Sequence, residues 1–304
     1  MKFFYDGAFP YVSYITESGD EIILASEEIN RYWVTYKRKG FDGPPLRTEK
    51  RQYADGTTEI LAIFMKERPL TLSMVAMGKT SMERDAIISN IVSRITQLGT
   101  GRKWGKLKVC TNDGRFLFID CAYTGGLENA NRVFPRIQQF DLNFLSGNGY
   151  FYDAEETSIS TRAIENLVYL SDDLYLSNLL YLTDGISSIV IENTGEEFYP
   201  IVEISGPASV IKIKNSATNK TLAVDPDFHI LSGEKLIFDC IEHEQSITYE
   251  DENGVITDVT DKLTLGSSLV WEILKGQNAI EFTFSDGDTD TSATIRYRQR
   301  YLNA

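Results

Sequence analysis

Short apolar runs alternate with turn residues throughout the last third of the chain. Turn sequences such as Asn193-Thr194-Gly195 and Ser205-Gly206-Pro207 separate runs that are rich in Ile, Val and Phe. The runs are residues 189–191, 201–204, 210–213, 235–238 and 279–284. Many short strands at this spacing are typical of a β-sandwich. The pattern therefore predicts a β-sandwich at the C-terminal end of the chain.

The first half of the chain predicts further strands and one long polar segment. The turn Asn112-Asp113-Gly114 predicts a hairpin between its two flanking strands. Residues 37–58 are polar and contain Gly43-Pro44-Pro45 and Asp55-Gly56, so we expect a long loop that is functional or mobile. Strands are expected at residues 22–24, 32–36, 60–65, 70–77, 106–110, 115–121 and 137–145.

Residues 81–98 predict an amphipathic helix. Thr80 is a suitable N-cap, and Glu83 three residues later completes a capping box. Gly99 is placed to end the helix. One apolar face indicates that the helix packs against a sheet. That face consists of Ile87, Ile88, Ile91, Val92, Ile95 and Leu98.

The length of 304 residues indicates about two domains. We expect an N-terminal domain at residues 1–153, a connector at residues 154–187 and a C-terminal β-sandwich domain at residues 188–304. The connector carries three copies of a six-residue repeat, which begins with Tyr-Leu at Tyr169. On an extended chain a step of six places all three tyrosines on one face. We expect short extended segments there that pack between the domains.

Charge is distributed unevenly along the chain, whose formal net charge is −14. Residues 1–150 carry +3 and residues 151–304 carry −17. Affinity for nucleic acid comes mainly from neutralising phosphates with cations, so no specific nucleic-acid binding is expected. No apolar stretch approaches the roughly 18–20 residues of a membrane span, and no membrane insertion is expected.

The sequence offers no set of residues for catalysis, and we predict no catalytic, cofactor-binding or metal site. Cys110, Cys121 and Cys240 are widely spaced and form no CxxC pair, so buried thiols are expected. Gly78-Lys79-Thr80 stands where a phosphate-binding P-loop would end. The motif requires a glycine five residues before Gly78, and Ser73 occupies that position. A chain without reactive residues favours binding or assembly over catalysis.

Several segments, taken in order, resemble the siphophage distal tail proteins. In the first half they are Gly105-Lys106-Leu107-Lys108-Val109, Phe140-Asp141-Leu142-Asn143-Phe144 and Gly149-Tyr150-Phe151-Tyr152-Asp153. In the second half they include Ile191-Glu192-Asn193-Thr194-Gly195, Leu231-Ser232-Gly233-Glu234 and Leu274-Lys275-Gly276-Gln277-Asn278. The ordered set covers most of both halves. Residues 37–58 and the tyrosine repeat depart from the family's pattern.

The resemblance implies a mainly β fold, in which an N-terminal β-sandwich or split barrel with one amphipathic helix precedes a galectin-like jelly-roll β-sandwich. It also implies a structural protein whose residues 1–153 form a ring at the distal end of the phage tail. The number of copies expected in this ring is six. Such a ring joins the tail tube to the tail-associated lysin or tip protein. It also serves as the hub for receptor-binding proteins during host attachment. The implied protein is not an enzyme and takes no cofactor.

The same resemblance implies where the protein resides. It would be made and assembled in the cytoplasm of the bacterial host and would be located at the tail tip of the virion. Phage DNA could pass through the ring without being bound specifically.

The polar segment provides the candidate contact residues. Arg47, Lys50, Arg51 and Tyr53 are expected to reach a neighbouring subunit or another tail protein. A mobile, solvated loop is the alternative.

A carbohydrate-binding protein is the alternative function, with the C-terminal sandwich recognising a cell-wall or capsular glycan. Sugar sites usually expose an aromatic ring for stacking, and Trp271, Tyr249 and Tyr199 are the candidates. Trp271 shares a strand face with Leu269 and Ile273, which predicts a core position. A tail-borne hydrolase is a third possibility and would need a cleft with paired carboxylates.

Overall fold

The computed structural model describes residues 11–26, 32–96, 104–127, 131–162, 185–242, 245–288 and 290–304. The chain divides into two compact units, Met1–Glu155 with Arg300–Ala304, and Glu156–Gln299. We call them unit 1 and unit 2. The described residues are mainly in antiparallel strands, with one α-helix among them, so the prediction of a mainly β fold is confirmed.

Unit 1 contains the helix α1 (Ser81–Ile95) and twelve of the described strands. The strands are β1 (Tyr11–Ile15), β2 (Glu21–Ala25), β3 (Tyr32–Lys39), β4 (Leu46–Gln52), β5 (Thr58–Met65), β6 (Arg68–Met77), β7 (Gly105–Cys110), β8 (Phe116–Gly125), β9 (Asn131–Phe134), β10 (Ile137–Ser146), β11 (Phe151–Asp153) and β22 (Arg300–Tyr301).

Seven strands of unit 1 form one continuous antiparallel path, in the order β2-β1-β7-β8-β10-β6-β3. β11 pairs with β8 and β22, and β9 pairs with β10. The two ends of the path approach each other, where the Tyr32 hydroxyl on β3 donates to the carbonyl oxygen of Ile23 on β2 at 2.9 Å. The sheet therefore curls round and encloses one core.

The core of unit 1 is built from inward-facing side chains at every second strand position. β6 and β10 are paired over their full length, so their inward residues lie opposite one another. The strand predicted at residues 137–145 is confirmed, and the side chains of Phe140, Leu142 and Phe144 on it are buried. The inward pairs are Leu70 with Phe144, Leu72 with Leu142 and Met74 with Phe140.

Helix α1 begins at the predicted cap. Thr80 Oγ1 accepts from the Glu83 backbone N–H at 3.1 Å, and Glu83 Oε2 accepts from the Lys79 N–H at 2.7 Å. The helix ends at Ile95, because Thr96 is already extended. The predicted end at residues 98–99 lies outside the described residues. Its buried stripe packs on the core of unit 1 and contains Ile88, Ile91 and Ile95.

Gly78 forms the turn between β6 and the helix. Its N–H donates to the Arg136 carbonyl oxygen at 3.0 Å, and a Cβ at this position would collide with the Arg84 backbone nitrogen. Close packing therefore explains the glycine, and Thr80 serves as a helix cap. The backbone requirements of the turn account for Gly78-Lys79-Thr80 without a phosphate.

Unit 2 is a sandwich of two antiparallel sheets. The six-stranded sheet has the order β12-β21-β14-β17-β18-β19, and the four-stranded sheet has the order β13-β20-β15-β16. A short 3₁₀ helix spans Thr260–Lys262. The strands are β12 (Thr157–Arg162), β13 (Gly185–Asn193), β14 (Ile201–Ser205), β15 (Ser209–Asn215), β16 (Lys220–Ala223), β17 (Lys235–Asp239), β18 (Ser246–Glu250), β19 (Ile256–Asp258), β20 (Gly276–Ser285) and β21 (Ser292–Tyr297).

Three buried asparagines hold the segment that precedes β20. Asn215 Nδ2 donates to the Glu272 carbonyl oxygen at 2.9 Å, and Asn193 Nδ2 donates to the Leu274 carbonyl oxygen at 3.4 Å. Asn278 Oδ1 accepts from the Leu274 N–H at 3.0 Å. Buried backbone groups need hydrogen-bond partners. These side chains supply partners to the backbone N–H and C=O groups of a segment that runs outside the sheets.

The prediction of a long loop at residues 37–58 is wrong. β3 continues to Lys39, and residues 46–52 form β4, which pairs with β5. Every side chain of β4 is exposed. A strand that is exposed on both faces shows no alternation of apolar and polar residues, and its composition resembles that of a loop.

The ends of the expected connector, residues 154–187, lie in strands of unit 2, since β12 spans Thr157–Arg162 and β13 begins at Gly185. Arg300–Ala304, which we expected in the C-terminal domain, are part of unit 1. The tyrosine repeat lies outside the described residues. Among the described residues, no helix is long and apolar enough to cross a bilayer.

The three cysteines are free and buried. Cys110 lies opposite Phe116 and Cys121 opposite Gly105, so the β7–β8 hairpin does not bring the two thiols together. Burial raises the pKa of all three thiols.

The native protein should therefore resist thiol reagents. We expect Cys121 and Cys240 not to react with a disulfide reagent at pH 8, because the reactive thiolate would have to form in an apolar interior. All three thiols should react after unfolding in urea. Rapid reaction of two or more thiols in the native protein would contradict the buried positions.

Val210 in β15 is under backbone strain. Its φ is +48°, although it is β-branched, and its side chain is 45% exposed. The left-handed region costs an L-residue roughly 1–2 kcal/mol. We expect Val210→Gly to stabilise unit 2 by about 1 kcal/mol, measured by calorimetry of the whole chain.

Val190 in β13 provides the matched control. It is also an exposed valine on a strand of unit 2, and its φ is not positive. Val190→Gly should cost about 0.5–1 kcal/mol, because glycine weakens an ordinary strand position. Equal destabilisation by both substitutions would show that Val210 is not strained.

Candidate functional site

β4 and β5 form a hairpin that is separate from the other sheets. The strands pair with each other from Leu46 opposite Met65 to Gln52 opposite Thr58. In the part of the chain that the structure describes, no other strand pairs with either of them. Both outer edges therefore present backbone groups to which a further strand could bond. We call residues 46–65 the hairpin arm.

One face of the hairpin arm carries exposed aliphatic side chains, which lie opposite Thr48 and Lys50. The pairing register and the alternation of side chains place Leu46, Ile60, Ile63 and Met65 on this face, with Leu61 beside them at a shift in register. The exposed fractions are 61% for Leu46, 55% for Ile60, 56% for Leu61 and 59% for Ile63. Side chains of this kind normally lie in a core. We call Leu46, Ile60, Leu61 and Ile63 the aliphatic face.

The opposite face is charged apart from Ala62 and the exposed Phe64, and it carries most of the predicted contact residues. Arg47 and Arg51 lie on it, and the guanidinium of Arg51 is 5.3 Å from the centroid of the Tyr53 ring. The Tyr53 hydroxyl donates to Glu59 Oε2 at 2.5 Å, and this bond raises the pKa of Tyr53. Lys50 lies directly opposite Ile60 and therefore on the same side of the hairpin as the aliphatic face. The role of these four residues in a contact stays a prediction.

The sequence gives little sign of the aliphatic face. Residues 60–65 are predicted as a strand, and this is confirmed, but consecutive apolar residues are typical of a strand that is buried on both faces. The available signal is the contrast with residues 47–52, which are all polar. An apolar strand that pairs only with a polar strand cannot be buried on both faces by that partner alone.

The aromatic residues considered for sugar binding pack against the core of unit 2. Trp271 is fully buried, and its Nε1 donates to the Lys220 carbonyl oxygen at 3.2 Å. The predicted core position of Trp271 is confirmed. Tyr249 meets the edge of Phe228 at 5.9 Å between ring centroids, and Tyr199 is partly buried. These rings do not form a stacking platform.

The described ranges contain no group of three His, Cys, Asp or Glu side chains that could hold a metal ion. A groove of about 630 Å³ runs along α1. It is lined by apolar side chains, including Ile88 and Val92, and by polar ones, including Asp85 and Gln138. The hairpin arm is the feature of unit 1 whose exposed apolar surface calls for a partner.

Comparison with known proteins gives a family match that lies mainly in unit 2. Residues 194–301 match the family model for the siphovirus-type tail component, C-terminal domain. No curated protein matches the sequence.

Solved structures give a likeness over the whole chain. The Dit protein of phage SPP1, described as a paradigm of the hub adsorption apparatus in phages that infect Gram-positive bacteria, has a TM-score of 0.65 at 13% identity, covering 96% of this chain and 99% of that chain. A chain of the phage P2 baseplate in its activated conformation with Ca has a TM-score of 0.48 at 10% identity, covering 97% and 99%. The corresponding baseplate with Sr gives 0.46 at 11% identity, covering 94% and 97%.

The two kinds of comparison support different parts of the identification. The family model identifies the C-terminal domain from its sequence, whereas the SPP1 structure, at low identity, establishes the fold. The resemblance predicted from the sequence is confirmed: unit 2 carries the C-terminal domain of a siphovirus-type tail component, in a chain with the fold of a siphophage distal tail protein.

Proposed function

We propose that this protein is a structural component of the phage tail tip that assembles head to tail into a closed ring, with six copies as the number that the family resemblance implies. In such a ring each subunit uses two different faces. The hairpin arm of one copy contacts the next copy through the aliphatic face. The protein acts by assembly and does not catalyse a reaction.

The exposed aliphatic face is the observation that carries this proposal. Leu46, Ile60 and Ile63 are each more than half exposed on a two-stranded sheet. A contiguous exposed apolar surface of this kind marks an interaction site in a soluble protein. The free edges of the hairpin add backbone groups, so a partner strand could pair with it as well as cover it.

The size of the aliphatic face favours a closed assembly over a simple pair. Burying a Leu or Ile side chain contributes about 1.5–3 kcal/mol, so four that are already partly covered contribute about 4–6 kcal/mol. Association costs roughly 4–15 kcal/mol in lost freedom of motion. One such contact is therefore weak, whereas a closed ring gives every copy two contacts and needs no free end.

The remaining parts of the proposal rest on the family resemblance. The ring joins the tail tube to the tail-associated lysin or tip protein, and it is the hub on which receptor-binding proteins are held during host attachment. Assembly takes place in the cytoplasm of the bacterial host, before the protein becomes part of the virion tail tip. The uneven charge of the chain, +3 over residues 1–150 and −17 over residues 151–304, is consistent with two units that face different surroundings.

Substitutions on the two faces of the hairpin arm test the proposal. Ile60→Ser with Ile63→Ser should abolish the ring, because it removes apolar surface from the contact. The matched control is Arg47→Ser with Arg51→Ser, on the charged face of the same strands, which should leave the ring intact. Light scattering gives the mass in solution, and negative-stain microscopy shows whether annular particles are present.

Stability measurements separate loss of contact from loss of fold. Both isoleucines are more than half exposed, so the double substitution should change the free energy of unfolding of the single chain by less than about 1 kcal/mol. A chain that stays at 34.4 kDa at high concentration without any substitution would contradict the ring. Loss of the ring only in the arginine variant would place the contact on the charged face instead.

A further inference from the structure

A fully buried arginine lies at the root of the hairpin arm. By the root we mean the segments that lead into β4 and out of β5. Arg68 is the first residue of β6 and follows the end of β5 after two residues. Its side chain is 0% exposed. Arginine is almost never fully buried unless its guanidinium is paired. The groups around Arg68 therefore show what this position holds in place.

The guanidinium of Arg68 bonds to three backbone carbonyl oxygens. Nε donates to Gly40, and Nη1 donates to Gly149 at 2.7 Å and to Leu302 at 2.9 Å. The ring of Phe151 lies 4.7 Å from the guanidinium carbon. These acceptors come from three segments that are far apart in the sequence. One side chain thus joins the chain before the arm, the turn after β10 and the end of the chain.

The charge of Arg68 is stabilised mainly by the dipoles of the backbone carbonyl groups to which it bonds. Burial lowers the pKa of Arg68 to about 10, while the charge of Asp42 acts in the opposite direction. The side chain is still charged at neutral pH. Among the residues that the structure describes, no group bonds to its Nη2 atom, so the loss of any one carbonyl would leave the buried charge with fewer acceptors than it needs.

The root of the arm is packed closely around these bonds. Gly40 has a φ of +84°, and a Cβ there would collide with the Pro69 carbonyl oxygen. Gly149 has a φ of +68°, and a Cβ there would lie 2.8 Å from Met65 Sδ at the end of β5. Movement of the Gly149 segment would therefore displace the end of β5, and movement of the Gly40 segment would displace the start of β6.

The last residues of the chain complete the root. β22 pairs with β11, which places Tyr301 opposite Phe151. The Leu302 carbonyl oxygen then accepts from Arg68, and the Ala304 N–H donates to the carbonyl oxygen of Phe41 at 3.2 Å. Phe41 is fully buried and directly follows Gly40. Residues 302–304 thus contact both Arg68 and the segment that leads into the arm.

We propose that residues 302–304 act as a latch on the hairpin arm. While they are docked on Arg68 and Phe41, the root is fixed and the arm keeps a single orientation. When they leave, Arg68 loses an acceptor, the root loosens and the arm moves freely. In the chain, only β22 separates these residues from the end of unit 2 at Gln299. Its effect on assembly rests on the proposed function, but the latch itself does not.

Trypsin provides a direct test, because Arg47, Lys50 and Arg51 are exposed cleavage sites on the arm. The protein is kept at a concentration where it is a single chain, so that no neighbour covers the arm. Deletion of residues 302–304 should raise the rate of cleavage at these sites roughly tenfold or more, since a charge-assisted hydrogen bond is lost. Cleavage at an unchanged rate would overturn the latch.

Two variants sharpen the test. Asn303→Ala is the matched control, because the latch contacts are made by the backbone of its neighbours, and it should leave the rate of cleavage unchanged. Arg68→Met removes the charge but keeps an apolar stem, and it should accelerate cleavage as the deletion does. Acceleration by the deletion without acceleration by Arg68→Met would remove Arg68 from the mechanism.

Hydrogen exchange of the unaltered protein tests the latch even where a variant fails to fold. The amide of Ala304 and the amides at the root of the arm, residues 46 and 65, should share one opening event with the same dependence on urea. Separate opening events would overturn the proposal. Because both measurements use the single chain, they succeed or fail independently of ring formation.

Discussion

A two-stranded hairpin that pairs with no other strand in the described part of the chain is the constraint on which the rest of this structure depends. Such a hairpin is marginally stable in water by itself, and its edges and faces are open to other chains. Here the exposed face carries Leu46, Ile60 and Ile63, which contribute nothing to either core. A protein that exposes such a surface gains from it only when the surface is covered, and this supports the proposed assembly.

The arm can serve as an assembly surface only if its root is rigid. Interactions in the interior of unit 1 make the root rigid. Arg68 is buried with its charge and must find acceptors, and the three carbonyl groups that it finds fix three chain segments at one point. Gly40 and Gly149 allow those segments to approach closely. A buried charge would be costly without hydrogen-bond partners. Its bonds to these three segments therefore fix the root, and under our proposal they fix the orientation of the arm.

Much of the fold could be predicted from local patterns, because local rules and tertiary packing agree there. Phe140, Leu142 and Phe144 alternate on a half-buried strand, and Thr80 caps a helix with one apolar stripe. The same rules fail for residues 46–52, where both faces meet solvent and no period remains. They also fail for Arg68, since an arginine predicts a surface position and its burial depends on Gly149 and Leu302, which are distant in sequence.

The site was therefore predictable only in part, and the reason is physical. The segments that carried the resemblance include Asn193 and Asn278, whose amides satisfy buried backbone groups and have few possible substitutes. The hairpin arm meets no such internal demand, because its side chains contact solvent within one copy. The packing of a single copy therefore does not restrict which residues stand on the arm. Accordingly the family model matches residues 194–301, whereas the likeness in fold extends over 96% of the chain and includes the arm's unit. Under the proposed function, the residues that would decide how copies of this protein fit together lie outside the part that the family model matches, and the proposal for them rests on exposure and strand pairing.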